Sequence, residues 1–399
     1  MPLRPLVFLT LLLHVYIGLR LLPALHASNI AAALVLLTLL ASSAVTMPLP
    51  FLGLRGSHRQ PVTRAWQWIG LVAMGWFSSM FVLTLVRDGV LLLAWLTQVL
   101  GGVSSVDLPR IRQWSAVAVP LLALAGSLVG FFNARRTARV VRVDVPIRGL
   151  PVALQGFTIV QLSDLHVGPT IRRGYIQRIV DRVNRLEADV IAITGDLVDG
   201  TVPALRPHIA PLAGLRARHG TFVVTGNHEY YAGANAWIAE LRSLGLRVLQ
   251  NEHVLLGAYG ASGLQGAQTD EEIDAATLLL AGVNDFNAGH FDASQATDPR
   301  AAMAGAPLGV TTRVLLAHQP RSAPAALEAG FQLQLSGHTH GGQFFPWNLF
   351  VPLQQPFVAG LHRLGGMWVY ISRGTGYWGP PKRIGAPSEI TLVRLVAAT

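Results

Sequence analysis

Five times in this 399-residue chain a short apolar run ends in a turn that carries histidine, aspartate or asparagine. Ile159-Val-Gln-Leu leads into Ser163-Asp164-Leu165-His166, and Ile191-Ala-Ile-Thr into Gly195-Asp196. Phe222-Val-Val-Thr leads into Gly226-Asn227-His228-Glu229, and Val314-Leu-Leu-Ala into His318. The last run, Leu333-Gln-Leu-Ser, leads into Gly337-His338-Thr339-His340. Short runs of this kind bounded by glycine read as β-strands. The carboxyl ends of strands are where open α/β sheets hold their ligands. If the five strands lie side by side, Asp164, His166, Asp196, Asn227, His318, His338 and His340 converge on one edge.

The surrounding sequence fits sheets covered by helices. Ile171–Glu187 has helical spacing (Ile176, Ile179, Val180, Val183), and so does Ala234–Leu244. Further strands are expected around Val248 and Leu255, and at Leu278–Val283, Met367–Ser372 and Ile390–Leu395. Some strands alternate with helices and others follow one another directly, which predicts two stacked sheets with helices outside. Gly257–Asp274 is polar and glycine-rich and reads as a loop or hairpin. The basic, β-branched stretch Arg135–Arg148 precedes Pro151, so a domain boundary is placed near residue 140.

Residues 1–140 are of another kind. Mean hydropathy over the whole chain is +0.43, too apolar for a plain soluble enzyme. Four stretches, about Leu6–Leu25, Ile30–Leu52, Trp66–Val86 and Trp114–Phe132, are long enough to span a bilayer, which takes roughly 20 residues each. Val90–Leu100 is too short alone; it either extends the third helix or lies at the interface. The net charge of +10 is confined to this half: residues 1–150 hold 13 Arg against Asp88, Asp107 and Asp144, and the remaining 18 basic and 18 acidic residues cancel. That distribution reads as membrane topology, with no basic stripe for nucleic acid. With four spans, Arg55, Arg59 and Arg64 lie on the same side as Arg135, Arg136, Arg139 and Arg142. The positive-inside rule puts that side, and the second domain, in the cytoplasm. A fifth span would reverse the second domain. His14 and Arg20 lie inside a span with no acidic partner nearby in the sequence, and the small residues Ala123, Gly126 and Gly130 are expected to pack helices.

Seven candidate ligands exceed the four that one tetrahedral zinc takes. They suit two ions sharing a carboxylate. No cysteine is present, so thiolate sites are excluded, and oxygen and imidazole donors suit Mn²⁺, Fe, Zn²⁺ or Ni²⁺ without choosing among them. Two such ions form a clamp for in-line displacement at phosphorus.

The ordered set D-x-H, G-D, G-N-H-E, H and G-H-T-H resembles the calcineurin-like metallophosphoesterase superfamily. The Gly374-Thr-Gly-Tyr segment, Arg383 and Ser388-Glu389, with the apolar front, resemble its bacterial membrane-bound, YkuE-like branch. The resemblance implies a four-layer α/β/β/α sandwich over residues 141–399, preceded by an all-α transmembrane bundle over residues 1–140. It implies that Asp164, His166 and His340 hold a first metal, that Asn227, His318 and His338 hold a second, and that Asp196 bridges them. His228 is implied to be catalytic, contacting the phosphate or protonating the leaving oxygen while a metal-bridging hydroxide attacks.

Some assignments stay open. Asp199 and Glu229 either orient ligand imidazoles or are solvated loop carboxylates. Arg321 is expected in a surface salt bridge, and Arg373 and Arg383 in structural roles. Phe344-Phe-Pro-Trp-Asn-Leu-Phe350 is either packed under the second sheet or set at a bilayer surface. The expected activity is hydrolysis of a phosphodiester or pyrophosphate, with a lipid or lipid-linked nucleotide as one substrate class and a multi-pass anchor in the inner membrane. The bilayer is the implied partner, with no nucleic acid and no protein partner. The alternatives are the same chemistry on a soluble phosphoester, and a transporter or sensor with a regulatory metal domain.

Overall fold

Burial decides the strand pattern. All five residues of Val190–Thr194 are buried, as expected for a strand covered on both faces. The computed structural model describes residues 3–52, 63–101, 107–257 and 277–398. The chain divides into two units: Met1–Arg135 with Gly379–Ile384, and Arg136–Trp378 with Gly385–Thr399.

In the second unit the described strands are β1 (Arg139–Ile147), β2 (Thr158–Leu162), β3 (Val190–Thr194), β4 (Thr221–Val224), β5 (Arg247–Val248), β6 (Glu252–Gly257), β7 (Thr277–Gly282), β8 (Thr312–Leu316), β9 (Leu333–Ser336), β10 (Gly360–Leu364), β11 (Met367–Ile371) and β12 (Glu389–Ala397). They form two six-stranded sheets, ordered β1-β12-β2-β3-β4-β5 and β10-β11-β9-β8-β7-β6. Ile159, Val190, Ala192, Phe222 and Val224 from the first sheet share one core with Leu278, Leu280, Val314, Leu316 and Leu335 from the second. The alternate residues Val160, Ile191, Ile193 and Val223 are equally buried. Strand geometry turns them to the opposite face, so that face too is covered. Beyond the second sheet, Leu279, Ala281, Leu315 and Ala317 pack against Ala323 and Ala326. The result is the expected four-layer α/β/β/α sandwich.

Two strands were not expected. β1 occupies the stretch placed at the domain boundary, and it pairs in parallel with β12 from Arg139↔Glu389 to Ile147↔Ala397. Val141, Val143 and Val145 alternate with Arg142 and Asp144, the pattern of an edge strand with one wet face. β10 pairs with β11 in a hairpin. Apart from Gly257, the end of β6, the expected loop Gly257–Asp274 lies outside the described residues.

The first unit is helical: α1 (Leu3–Ser28), α2 (Ile30–Thr46), α3 (Arg64–Gly101) and α4 (Leu108–Arg135). Among the described residues, α1, α3 and α4 are long and apolar enough to cross a membrane. The expected span Ile30–Leu52 is shorter than that: α2 ends at Thr46, two residues ahead of Pro48, which has no N–H to continue the helical hydrogen bonding. Val90–Leu100 continues α3 without a break, giving a helix of about 57 Å at 1.5 Å per residue. Contacts fix the directions. His14 stacks on Phe77 at 4.2 Å and Arg20 meets Asp88 at 2.8 Å, so α1 runs parallel to α3. Arg87 bonds Ser115 while the Arg135 guanidinium lies over Trp68, so α4 runs antiparallel to α3. His14 also reaches Ser43 Oγ at 3.0 Å, and a Cβ on Gly70 would meet Thr46 O at 2.4 Å. Helix α2 therefore runs opposite to its neighbours. Arg55 and Arg59 lie outside the described residues.

Two expectations for these helices are corrected. Arg20 does have an acidic partner: Asp88 accepts its Nε–H and the Tyr16 hydroxyl at 2.5 Å, and Arg87 reaches Asp88 Oδ1 at 3.2 Å. The partner was hidden because it sits 68 residues away on another helix. Gly130 makes room for a side chain, since a Cβ there would meet Lys382 Cγ at 2.6 Å. The Lys382 ammonium donates to Gly75 O at 2.8 Å and to the Ser79 and Ser127 hydroxyls.

Candidate metal centre

The turns after β2, β3 and β4 sit at the carboxyl ends of neighbouring parallel strands. Those after β8 and β9 do the same in the second sheet. All seven candidate ligands come from these five turns. The backbone there is unusual. Asp164, His166, Asp196, His338 and His340 have φ of 54°, 48°, 52°, 71° and 52°. This left-handed region is sparsely used outside glycine, though Asp, Asn and His enter it most readily. The close approach also needs glycine at Gly337, where a Cβ would meet Ser163 Oγ at 1.9 Å and Asp164 Oδ2 at 2.3 Å.

The side chains converge in three overlapping groups: Asp164 with His166 and His340, His166 with Asp196 and His228, and Asp196 with His318 and His338. Asp196 is the hub. Its Oδ2 lies 3.2 Å from His318 Nε2, 3.7 Å from His166 Nε2 and 4.0 Å from His228 Nε2. His166 Nε2 and His340 Nε2 are 3.1 Å apart, and His340 Nε2 lies 3.5 Å from Asp164 Oδ1. His338 Nδ1 and His318 Nε2 are 3.2 Å apart. Asn227 is buried and Oδ1 has no hydrogen-bond partner.

The turns are held by the acceptors within them. Asp164 accepts the His338 N–H on both oxygens, at 3.0 and 3.1 Å. Asp196 Oδ1 accepts the His228 N–H at 2.9 Å. The His318 ring lies against Thr194 O at 2.8 Å through Nδ1, which directs Nε2 toward Asp196. The two carboxylates left open by sequence both take part. Asp199 Oδ1 lies 2.9 Å from His166 Nδ1 and 2.7 Å from His228 Nδ1. Glu229 accepts the N–H groups of Asp196, Leu197 and Gly226 at 3.0, 2.7 and 2.6 Å. Neither role shows in the sequence, because Asp199 serves groups about 30 residues away and so does Glu229, apart from Gly226 three residues before it.

Burial would raise the Asp196 carboxyl, but His318, then His228 and His166, outweigh it and hold it well below the usual range. Burial would lower His318, and Asp196 beside it drives it well above its ordinary value. Burial pushes His338 down to about 3, helped by His318. His228 stands at about 9, because Asp196 and Asp199 outweigh its burial. Glu229 is pushed up to about 7 by burial and by Asp196.

This donor set fits two divalent cations. Buried carboxylates next to buried imidazoles need positive charge between them. The facing ring nitrogens and the orphan Asn227 oxygen are lone pairs with a common focus. Oxygen and nitrogen donors without sulfur suit hard or borderline ions.

Other expectations come out differently. The Arg321 guanidinium stacks 4.9 Å over Phe286 and makes no salt bridge among the described residues. Arg373 pairs with the buried Glu389 at 3.1 Å, the structural role expected of it. Sequence reasoning missed the aromatic rim. Tyr231 and Trp378 have ring centroids 5.2 and 5.8 Å from that of His228, and Phe291 lies 5.7 Å from Tyr231.

Residues 157–342 match the family described as calcineurin-like phosphoesterase. The chain is 40% identical over 323 residues to a bovine "transmembrane protein with metallophosphoesterase domain", covering 79% of this chain and 70% of that one. It is 39% identical to a zebrafish protein of the same description, covering 68% of this chain and 60% of the relative. An uncharacterized metallophosphoesterase of Bacillus subtilis, YkuE, is 28% identical over 62% of this chain and 81% of its own length.

Proposed function

The chain belongs to the calcineurin-like metallophosphoesterases, metal-dependent phosphoesterases that work with two divalent ions, and from that premise we propose that it hydrolyses a phosphodiester or pyrophosphate at a membrane surface. The observation that carries this is the Asp196 carboxylate, whose Oδ2 faces three imidazoles from three different turns. In this reading Asp164, His166 and His340 hold one cation, Asn227, His318 and His338 hold the other, and Asp196 joins them. When bound, the ions supply Lewis acidity and activate water near neutral pH.

The chain's own groups do the rest. Asp199 accepts the His228 Nδ1–H and so leaves Nε2 facing the centre. His228 Nε2 is then free to contact a phosphoryl oxygen or to give a proton to the leaving oxygen. Asp199 also fixes the tautomer of His166, leaving its Nε2 lone pair for a cation. Glu229 gathers three backbone N–H groups and so holds the turn carrying Asp196 against the one carrying Asn227.

We assign residues 1–140 as a multi-pass anchor in the inner membrane and residues 141–399 as the cytoplasmic catalytic domain. The similarity to the bovine relative is longer than the α/β unit and so includes part of the helical one, which supports an anchor that belongs with this enzyme. The helical unit pairs its own polar groups, Tyr16, Arg20 and Asp88 among them, which favours an anchor over a transport path. Amphiphilic phosphoesters, a lipid or a lipid-linked nucleotide, are the substrates this arrangement suits; a soluble phosphoester with the helices as anchor only is the second reading.

The test is hydrolysis of bis-p-nitrophenyl phosphate by the purified full chain with Mn²⁺. Activity is expected with Mn²⁺, absent with chelator and abolished by Asp196→Ala. Hydrolysis that ignores both chelator and Asp196→Ala would sink this assignment.

A further inference from the structure

Large apolar side chains exposed in the α/β unit are not scattered. Among its described residues all but Val152, Phe286 and Leu308 lie in segments that follow a candidate-ligand turn or pack against one. Tyr231 lies in the short helix that begins at Asn227, and Phe291 packs against it. Phe345, Trp347, Leu349, Phe350 and Leu353 follow the His338–His340 turn and are 51–80% exposed. Trp378 is tied to the same segment: Gln343 donates its amide to Trp378 O and accepts the Trp378 N–H, both at 2.9 Å. The rim therefore runs from the 345–353 segment through Trp378 and His228 to Tyr231 and Phe291.

Its charge pattern is equally one-sided. No Asp, Glu, Lys or Arg occurs from Gly341 to His362. A water-facing segment of that length ordinarily carries several charges, and large exposed apolar patches mark interaction sites. Tryptophan, phenylalanine and leucine on one uncharged surface suit the headgroup–acyl boundary of a bilayer. The same chain carries three helices long and apolar enough to cross a membrane, which makes a bilayer the expected occupant of this surface.

We propose that the rim of the metal centre docks on the bilayer, so that the substrate is an amphiphilic phosphoester drawn from the membrane surface with its phosphate in the centre and its apolar part still in lipid. This rests on the phosphoesterase reading above and deepens it. It differs from a plain anchor, which would only concentrate the enzyme near the membrane.

The absence of native cysteine allows a direct test with the full chain in phosphatidylcholine vesicles. Leu349→Cys and Leu308→Cys are each labelled with nitrobenzoxadiazole, and doxyl-phosphatidylcholine is added as quencher. Emission from position 349 is expected to fall by about half while that from 308 barely changes. Equal quenching at both positions, or none at 349, overturns the proposal, whatever the activity. A second measurement follows p-nitrophenol release from a p-nitrophenyl dialkylglycerol phosphodiester in the vesicles and from bis-p-nitrophenyl phosphate in water. The combined Phe345→Ser, Trp347→Ser, Phe350→Ser variant is expected to lose about tenfold on the lipid and to stay within about twofold on the soluble ester. Equal losses, or no loss on the lipid, overturn it. If the unaltered chain cleaves neither ester, the phosphoesterase reading fails, and the quenching result still decides the docking face. A rim covered by a second copy of the chain would appear as a dimer with position 349 unquenched, which also overturns it.

Discussion

Five of the seven proposed ligands hang from backbone in the left-handed region, which costs on the order of 1 kcal/mol each for a residue with a Cβ. Glycine would relieve the strain and lose the ligand. The structure instead spreads the burden over acceptors: Asp164 takes the His338 N–H, Asp196 takes the His228 N–H, and Glu229 takes the Asp196 N–H. Asp199 is the most exposed member of this set and the easiest to test. Its carboxylate holds two imidazoles through a single oxygen. Asparagine keeps the shape and one oxygen acceptor but removes the charge. Asp199→Asn is expected to lower metal occupancy or kcat by roughly 10–100-fold with little change in fold. Metal analysis and Mn²⁺ titration of the initial rate check this. If neither moves, Asp199 is a bystander.

At the scale of elements, the sequence announced every strand that leads into a candidate ligand and hid two that do not, β1 and β10. β3 was legible to the residue, because a five-residue apolar run between polar neighbours has no other reading. β1 was not, since arginine alternating with valine at an edge looks like a basic linker. The helical unit repeats the lesson. α2 looked long enough because Pro48 sits inside the hydropathy window without changing its average. The sequence left open whether Val90–Leu100 extends α3; Asp88, just before it, is the counter-ion that joins α1 to α3. That pairing gives a prediction. Asp88 is 18% exposed and Arg87 3%, whereas Arg20 is 46% exposed. Removing Asp88 strands a buried guanidinium, which costs about 3–5 kcal/mol; removing Arg20 frees a half-solvated one. Thermal unfolding in detergent is expected to fall well below that of the unaltered chain for Asp88→Ala and only slightly for Arg20→Ala. Equal shifts would mean that Arg87 is satisfied without Asp88, through Ser115 and Arg112 O alone.

For the whole molecule, the direction of each helix matters more than its length. α1 and α3 run one way, and α2 and α4 the other, so the amino terminus of α1 and the end of α4 lie at the same end of the unit. The second unit begins at Arg136, one residue past α4. Four antiparallel segments therefore return the chain to the side from which it started, even though α2 is short. Val90–Leu100 adds no crossing, because it prolongs α3 in the same direction. Arg64 and Arg135 lie at that end, with Arg136, Arg139 and Arg142 next in the sequence, and by the positive-inside rule it would face the cytoplasm, as proposed above. Single cysteines test this without background, since the chain has none of its own. Leu308, in the second unit, is 97% exposed, and Ala27 lies at the far end of α1, also exposed. In bacterial spheroplasts a membrane-impermeant maleimide is expected to label Ala27→Cys at once, and Leu308→Cys only after lysis. The reverse pattern would put the metal centre outside the cell. It would also mean that arginine count does not orient this bundle, leaving the substrate to be sought on the outer leaflet.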